Sequence, residues 1–354
     1  MEKGTVFEEE VQKIYVGIDV HKKSWAVSLY SDSLYLKSFT QPPEPEKLIS
    51  YLRSNYPGCI YYAAYEAGFC GYWIHDRLSA GGIRCFVTHP GDIPTTDKER
   101  RHKTDKRDSL KLGRELQKGS LMPIRVPSPE RRDDRGLIRQ REKAKTDLKR
   151  VKNRIKSFLA FRGIPLPVQY DRCYWSISFL DWLNKVQLSR KSGRQAFSSL
   201  LRQYEFCYQE WIQLKRHIRE LSTCPEYADT VRYLCTIPGI GLLSAVLWAT
   251  ELGDMRDFRR FDDLCSYVGL VPREHSSGEK TRTGSLDKRG NKYLRTTLIE
   301  CAWIAIRHDL RLLRTYERLI KRMKGEHAII RIARKLLQNI RYVMINQCVY
   351  EIRA

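Results

Sequence analysis

Residues 14–20, Ile14-Tyr15-Val16-Gly17-Ile18-Asp19-Val20, decide how the first third of the chain is read. The run is short, β-branched and almost wholly apolar, the pattern of a central strand in a sheet. Asp19 is the exception, because a carboxylate at the end of an apolar strand is costly unless it is paired or holds a metal. Outward from this strand, residues 24–30 (SWAVSLY) and 34–39 (LYLKSF) follow at hairpin spacing, with Ser31-Asp32-Ser33 as the turn. Residues 43–56 predict a helix with proline at its start and Leu48, Ile49 and Leu52 on one face. A second core strand is expected over 59–66 (CIYYAAYE), a helix over 72–80 ended by Gly81-Gly82, and a third core strand over 84–89. Residues 103–118 predict a further helix with Leu110, Leu112 and Leu116 as its apolar positions. A three-strand meander that runs into parallel strands with helical crossovers fits a ribonuclease-H-like domain.

Four acids stand out against that frame. Asp19 and Glu66 each end a core strand, and Gly68 follows the second. Open sheets bind ligands beyond the carboxyl ends of their strands, so the two acids are placed to converge. Asp105 and Asp108 are three apart at the start of a helix and share one face, with Thr104 as the N-cap. Acids in a first helical turn are electrostatically favoured anyway, which is their ordinary explanation. Four carboxylates in one cleft repel each other unless divalent cations bind, and Mg²⁺ takes oxygen ligands. Two such ions, roughly 3.5–4 Å apart, stabilise both the attacking and the leaving oxygen of a phosphodiester reaction. The surrounding Lys98, Arg100, Arg101, Lys103, Lys106 and Arg107 suit a phosphate backbone, or form a solvated charged loop.

Composition narrows the partner. The chain has 354 residues and a formal net charge of +23. That length fits about two or three domains of roughly 100–200 residues, and 42% hydrophobic residues are enough for real cores. So large a positive surplus favours a polyanion, nucleic acid or an anionic membrane. No run approaches ~18 apolar residues and the amino terminus has no signal-peptide core, so nucleic acid is the expected partner and a membrane is not. Ten cysteines are scattered singly with no CxxC pair, which gives a structural zinc site little support and suits reduced thiols in a cytosolic protein.

The middle of the chain changes character. Across residues 135–162, rich in Lys and Arg, Leu137, Ala144, Leu148, Val151, Ile155 and Phe158 recur mostly at three- and four-residue steps, with Arg141 as a polar break. That is a narrow coiled-coil seam, stopped by Gly163 and Pro165. A second helix over 194–221 carries Phe197, Leu201, Tyr204, Tyr208, Trp211, Leu214, Ile218 and Leu221 at similar spacing. The pair predicts an antiparallel arm, either a spacer or a dimer contact with a basic rail. From about Pro225 the chain is mostly helical, with apolar periodicity over 241–252, 290–307 and 328–348, and with a polar, basic loop expected over 273–289.

Two motifs lie in this last part. Thr236-Ile237-Pro238-Gly239-Ile240-Gly241 is similar to the hairpin of helix-hairpin-helix modules, where Gly239 and Gly241 would let backbone N–H groups approach a phosphate. A glycine-rich turn between packed helices is the plainer explanation. Downstream, Ser276-Ser277-Gly278 sits among Arg273, Lys280, Arg282, Lys288 and Arg289, which, with Arg101 and Lys103, are the candidate nucleic-acid contacts. A serine on a basic glycine loop suits phosphate binding or nucleophilic attack, although most loop serines are simply polar.

The succession YVGIDVHK, YEAG, KTDKRD, TIPGIG, GLVPREHSSG and KRGNKYLR, running from Tyr15 to Arg295, resembles the DEDD insertion-sequence transposases. These are relatives of the Piv site-specific invertases, now known as bridge-RNA-guided recombinases. The resemblance covers nearly the whole chain. It implies a ribonuclease-H-like (RuvC-like) domain over 1–125, coiled-coil helices over 126–224 and a mostly helical transposase domain over 225–354, α/β followed by α. It implies that Asp19, Glu66, Asp105 and Asp108 bind Mg²⁺ or Mn²⁺ and that Ser277 is the nucleophile, with adjacent Ser276 and more distant Ser285 as alternatives. It further implies donor and target DNA, a structured guide RNA, and a homodimer that assembles to a tetramer, in the cytoplasm and on the nucleoid of a prokaryote. A metal-dependent junction-resolving endonuclease without covalent serine chemistry is the alternative enzyme, and a non-catalytic architectural protein the alternative of another class.

Overall fold

The structure is a computed structural model that describes residues 11–94, 104–170, 175–277, 280–286 and 289–351, with the backbone alone over 273–277 and 280–285. The chain forms two compact units that divide between Pro127 and Ser128.

In the first unit the expected order of elements is present: β1 (Lys13–Val20), β2 (Trp25–Tyr30), β3 (Tyr35–Gln41), α1 (Pro45–Asn55), β4 (Ile60–Glu66), α2 (Trp73–Ala80), β5 (Arg84–Thr88) and α3 (Asp105–Gln117). The strands form one sheet in the order β3-β2-β1-β4-β5. The meander β1-β2-β3 is antiparallel, while β1, β4 and β5 run parallel. This mixed α/β sheet is consistent with the ribonuclease-H-like arrangement read from the sequence. Helix α1 starts at Pro45, where the missing N–H costs nothing.

The two-residue period of β1 sorts its side chains between two layers. Ile14, Val16 and Ile18 are fully buried against Leu48 and Leu52 of α1 and Ile74 and Leu78 of α2. The alternate residues Tyr15, Gly17 and Asp19 face α3. On this face the rings of Tyr15 and Tyr62 stack at 5.4 Å, and Leu112, Leu116 and Leu121 pack over Ala64. Helix α3 lies close on the strand because both contact residues are glycine. A Cβ on Gly17 would fall on the Ser109 carbonyl oxygen and the Gly113 nitrogen, and one on Gly113 would meet the Tyr30 ring at 2.8 Å. At the same crossing Ser28 Oγ bonds Ser109 Oγ at 2.8 Å and Ser38 Oγ at 2.7 Å.

The second unit opens on α4 (Pro129–Phe161), capped by the Ser128 hydroxyl, which accepts from the Arg131 N–H. Helices α5 (Ile177–Lys185) and α6 (Lys191–Leu221) follow. Arg154 donates to Gln203 at 3.1 Å and Phe158 stacks on Phe197 at 5.2 Å, so α4 and α6 run antiparallel. Their shared core holds Leu148, Val151, Ile155 and Leu159 with Phe179, Leu183, Phe197 and Tyr204. The buried stripe of α4 runs through Ile138 and Leu159, with Leu137, Ala144 and Phe158 at its margin. The 3.6-residue period turns a straight stripe away from a 3.5-residue seam over so long a helix.

Among the described residues, the unit continues with α7 (Ala228–Leu234), α8 (Leu242–Leu252), α9 (Phe261–Val268), α10 (Lys292–Ala305), α11 (Leu310–Ile320) and α12 (Gly325–Asn346). Helix α8 is buried continuously from Ala245 to Leu252 and is the centre of their core. The segment expected as a loop over 273–289 contains an antiparallel hairpin instead, β6 (Pro272–Ser277) with β7 (Lys280–Leu286). Its alternation is polar throughout, Arg and Lys against Ser and Thr, so no hydrophobic period announced it. Among the described residues, no helix is long and apolar enough to cross a membrane.

Candidate active site at the carboxyl end of the sheet

The pairing of β1 with β4 continues in register to Ile18 opposite Tyr65, so the next residue on each strand is an acid, Asp19 and Glu66. Each is four residues beyond the stacked pair Tyr15 and Tyr62, and both therefore share the α3 face of the sheet. The Gly17–Gly113 crossing brings the amino-terminal end of α3 over that edge. Thr104 is the N-cap, its hydroxyl accepting from the Arg107 N–H, and Asp105 and Asp108 occupy the first turn. Asp19, Asp105 and His21 each offer a ligand atom, and these lie within 4.8 Å of one another. The His21 Nε2 is 3.2 Å from Asp19 Oδ2 and 3.3 Å from Asp105 Oδ1. Burial pushes the Asp19 carboxyl above its ordinary range and the charges of Asp108 and Asp105 add to this, while His21 opposes it. Three of the four acids are thus electrostatically coupled, and Glu66 is placed beside them by register.

The donor set fits a hard divalent cation: carboxylates whose mutual repulsion is already expressed at Asp19, open on the side where Asp105 is exposed. Sequence reasoning missed His21. Its position two residues after Asp19 was visible in YVGIDVHK, but its closeness to Asp105 is a product of the fold. Of the basic candidates here, Lys98, Arg100, Arg101 and Lys103 lie outside the described residues.

In the second unit Ser276 and Ser277 are the last two residues of β6, paired with Thr281 and Lys280, and Ser285 lies near the far end of β7. Ser277 is therefore at the tip of the hairpin and Ser285 near its base. The side chains of Arg273, Lys280 and Arg282 and all of Lys288 lie outside the described residues, while Arg289 is exposed. The base of the hairpin is tied down. A Cβ on Gly290 would fall on the backbone of Gly269, and the Asn291 N–H donates to the Tyr267 carbonyl at 2.7 Å. Asn291 caps α10 through its Oδ1 and with its Nδ2 donates to Glu251 Oε2 at 2.9 Å. Glu251 is fully buried, and Arg139 of α4 grips it at 2.7 and 2.9 Å. Arg135 adds bonds to the Thr250 and Glu251 carbonyls at 3.0 and 2.6 Å. None of this clamp was read from the sequence, where Glu251 is one acid in an apolar helix.

The two glycines of the helix-hairpin-helix candidate differ. Gly239 has φ +88°, and a Cβ there would fall on the Cys301 carbonyl of α10, so packing alone accounts for it. Gly241 is exposed at the N-cap of α8, with open space where a Cβ would be.

Comparison with known proteins meets both units. The family described as Transposase IS116/IS110/IS902 family matches residues 231–318, and the DEDD transposase family of IS110 matches residues 16–162. The second match contains all four acids; the first contains the Pro-Gly turn, the hairpin and Glu251. Among similar proteins, y4qE of Sinorhizobium fredii, named as a candidate transposase, is 31% identical over 242 residues, 68% of this chain and 58% of its own length. The transposase for insertion sequence element IS1533 of Leptospira borgpetersenii is 28% identical over 307 residues, 82% of this chain and 85% of that one. The pilin gene-inverting protein of Moraxella bovis is 34% identical over 177 residues, 46% of this chain and 54% of that one. The alignments span 58% of y4qE and 65% of a second Sinorhizobium protein, y4rJ, less than two thirds of either.

Proposed function

The chain belongs to the DEDD transposases of the IS116/IS110/IS902 family, and on that premise we propose that it cuts and rejoins DNA as the recombinase of an insertion sequence. The observation that carries the proposal is the convergence of Asp19, Asp105 and Asp108 at the end of the sheet, with Glu66 in register beside Asp19. Asp19, Glu66, Asp105 and Asp108 would hold Mg²⁺ or Mn²⁺. A bound divalent cation would neutralise the charge that develops on the phosphate oxygens during displacement.

In this reading the Ser277 Oγ attacks a DNA phosphorus. The Oγ–P bond forms as the bond from phosphorus to one deoxyribose oxygen breaks. The serine proton passes to solvent and the released sugar oxygen takes one up. The number of phosphodiester bonds is conserved, so rejoining to a new strand needs no outside energy source. Strands would be exchanged through a junction, and a structured guide RNA would pair with donor and target DNA to set the sequence choice. The antiparallel helices α4 and α6 are assigned, as a coiled-coil arm, to contact within a homodimer that assembles to a tetramer. The helix-hairpin-helix turn supplies the exposed Gly241 N–H end of α8 to a phosphate, with Arg289 and the neighbouring basic residues along the backbone. The site of action is the nucleoid, in the cytoplasm.

The test is Ser277→Ala against Asp19→Ala in the full chain. Ser277→Ala should abolish a covalent protein–DNA adduct and strand transfer while DNA retention persists. Normal Mg²⁺-dependent cutting by Ser277→Ala would favour the junction-resolving endonuclease. Asp19→Ala should also stop cleavage and leave binding largely intact; a change in binding alone would make the acid site structural.

A further inference from the structure

His21 is outside the four acids, yet its Nε2 lies between two of them, 3.2 Å from Asp19 Oδ2 and 3.3 Å from Asp105 Oδ1. Two donor atoms bound side by side on one ion at about 2.1 Å stand roughly 3.0 Å apart in octahedral and about 3.4 Å apart in tetrahedral geometry. The two separations at His21 fall inside that interval. All three ligand atoms lie within 4.8 Å of one another. The ring is held there by local structure. His21 follows the last residue of β1, and its backbone N–H donates to the Ser24 carbonyl at 3.2 Å in the tight turn to β2. It is half-exposed, so an ion reaches it from solvent.

We propose that His21 is a direct nitrogen ligand of the divalent cation held by Asp19 and Asp105. The inference rests on the metal-binding reading of the acids. Bound through the Nε2 lone pair, the neutral ring would carry its hydrogen on Nδ1. The consequence is a mixed nitrogen–oxygen site. Imidazole suits transition metals, whereas Mg²⁺ prefers oxygen alone, so His21 biases the site towards Mn²⁺.

The experiment loads the full-length protein with Mn²⁺ alone and reads ¹⁴N coupling to the ion by pulsed electron paramagnetic resonance, with Mn²⁺ affinity from the same signal. Wild type should bind Mn²⁺ and show the coupling of one directly bound imidazole. His21→Ala should lose the coupling and bind Mn²⁺ about tenfold or more weakly, while its affinity for competing Mg²⁺ changes less. His21→Gln keeps a hydrogen-bond donor near both carboxylates and offers no ring nitrogen, so it should also lose the coupling; it serves if the alanine variant does not fold. Asp19→Asn should lose the bound ion. Mn²⁺ that depends on Asp19 but shows no ¹⁴N coupling, or keeps it in His21→Ala, overturns the ligand assignment and leaves the acid site standing. No Mn²⁺ binding by wild type overturns both.

Discussion

Asp19 shows how a single residue ties the fold to its site. Its carboxyl is raised above the ordinary aspartate range, first by burial and then by Asp108 and Asp105, while His21 pulls it down. A carboxyl raised in the folded state is harder to ionise there than in the unfolded chain. The fold therefore carries a penalty at neutral pH that is absent below the ordinary carboxylate range and grows as pH rises through the shifted one. Asp19→Asn removes the charge. In metal-free buffer at pH 7 it should melt higher than wild type, by on the order of a few degrees, and the gap should close near pH 3. Added Mg²⁺ or Mn²⁺ should raise the melting temperature of wild type and leave Asp19→Asn where it was, because only a state that binds the ion gains from it. A metal-free Asp19→Asn protein no more stable than wild type at neutral pH would sink the argument. Asp19 was legible in the sequence because a charge ending an apolar strand breaks a pattern. His21 was not, since a polar residue in a turn breaks none, and its partner Asp105 is 84 positions away.

Elements meet here through glycines and one buried acid. Gly17 and Gly113 let α3 lie against β1, and that approach puts Asp105 and Asp108 at the sheet edge. Gly17→Ala should cost about 1–3 kcal/mol or more, the range for overpacking a filled core, and should weaken Mn²⁺ binding by lifting the helix. Gly136 is the control: it is exposed inside α4 with open space around its Cβ position. Gly136→Ala should stabilise by about 0.5–1 kcal/mol, and urea denaturation reads both. The Glu251 clamp is tested the same way. Arg139→Ala removes the two-point ion pair of a fully buried carboxylate and leaves it only Asn291 at 2.9 Å and Arg135 at 3.7 Å, at a cost of about 3 kcal/mol, and Glu251→Leu added to it should recover most of that loss. Strict additivity of the two substitutions would show that the pair is not coupled. The helices and the five-stranded sheet were legible because their buried faces repeat with period 3.6 or 2. The β6–β7 hairpin was not, because neither face is apolar. The glycine crossing and the clamp were hidden for another reason: each is a need of one element imposed by a distant one, as Glu251 is by Arg139 and Asn291.

For the whole molecule the first consequence is electrostatic. A chain of net charge +23 that covers six to ten phosphates should lose about 10³–10⁵ in DNA affinity between 50 and 200 mM salt, and a flat salt response would contradict backbone-dominated binding. The second concerns how two chemistries combine. The four acids lie in the first compact unit and the serines of β6 in the second. If each reacting centre takes its acids from one protomer and its serine from another, Asp19→Ala and Ser277→Ala proteins should complement each other. In a mixed dimer one centre then has intact acids from the Ser277→Ala chain and an intact serine from the Asp19→Ala chain. The other centre lacks both. If instead each protomer builds its own centre, every centre in the mixture lacks one part and strand transfer stays absent. The measurement is covalent adduct formation after mixing two separately inactive proteins, with one DNA strand labelled. The adduct should form on the Asp19→Ala chain alone, which a size tag on either protein reveals. An adduct on the Ser277→Ala chain would move the nucleophile to another residue, with Ser276 the first to substitute. No adduct in any mixture, from variants that still bind DNA, would return the acids and the serine to a single protomer.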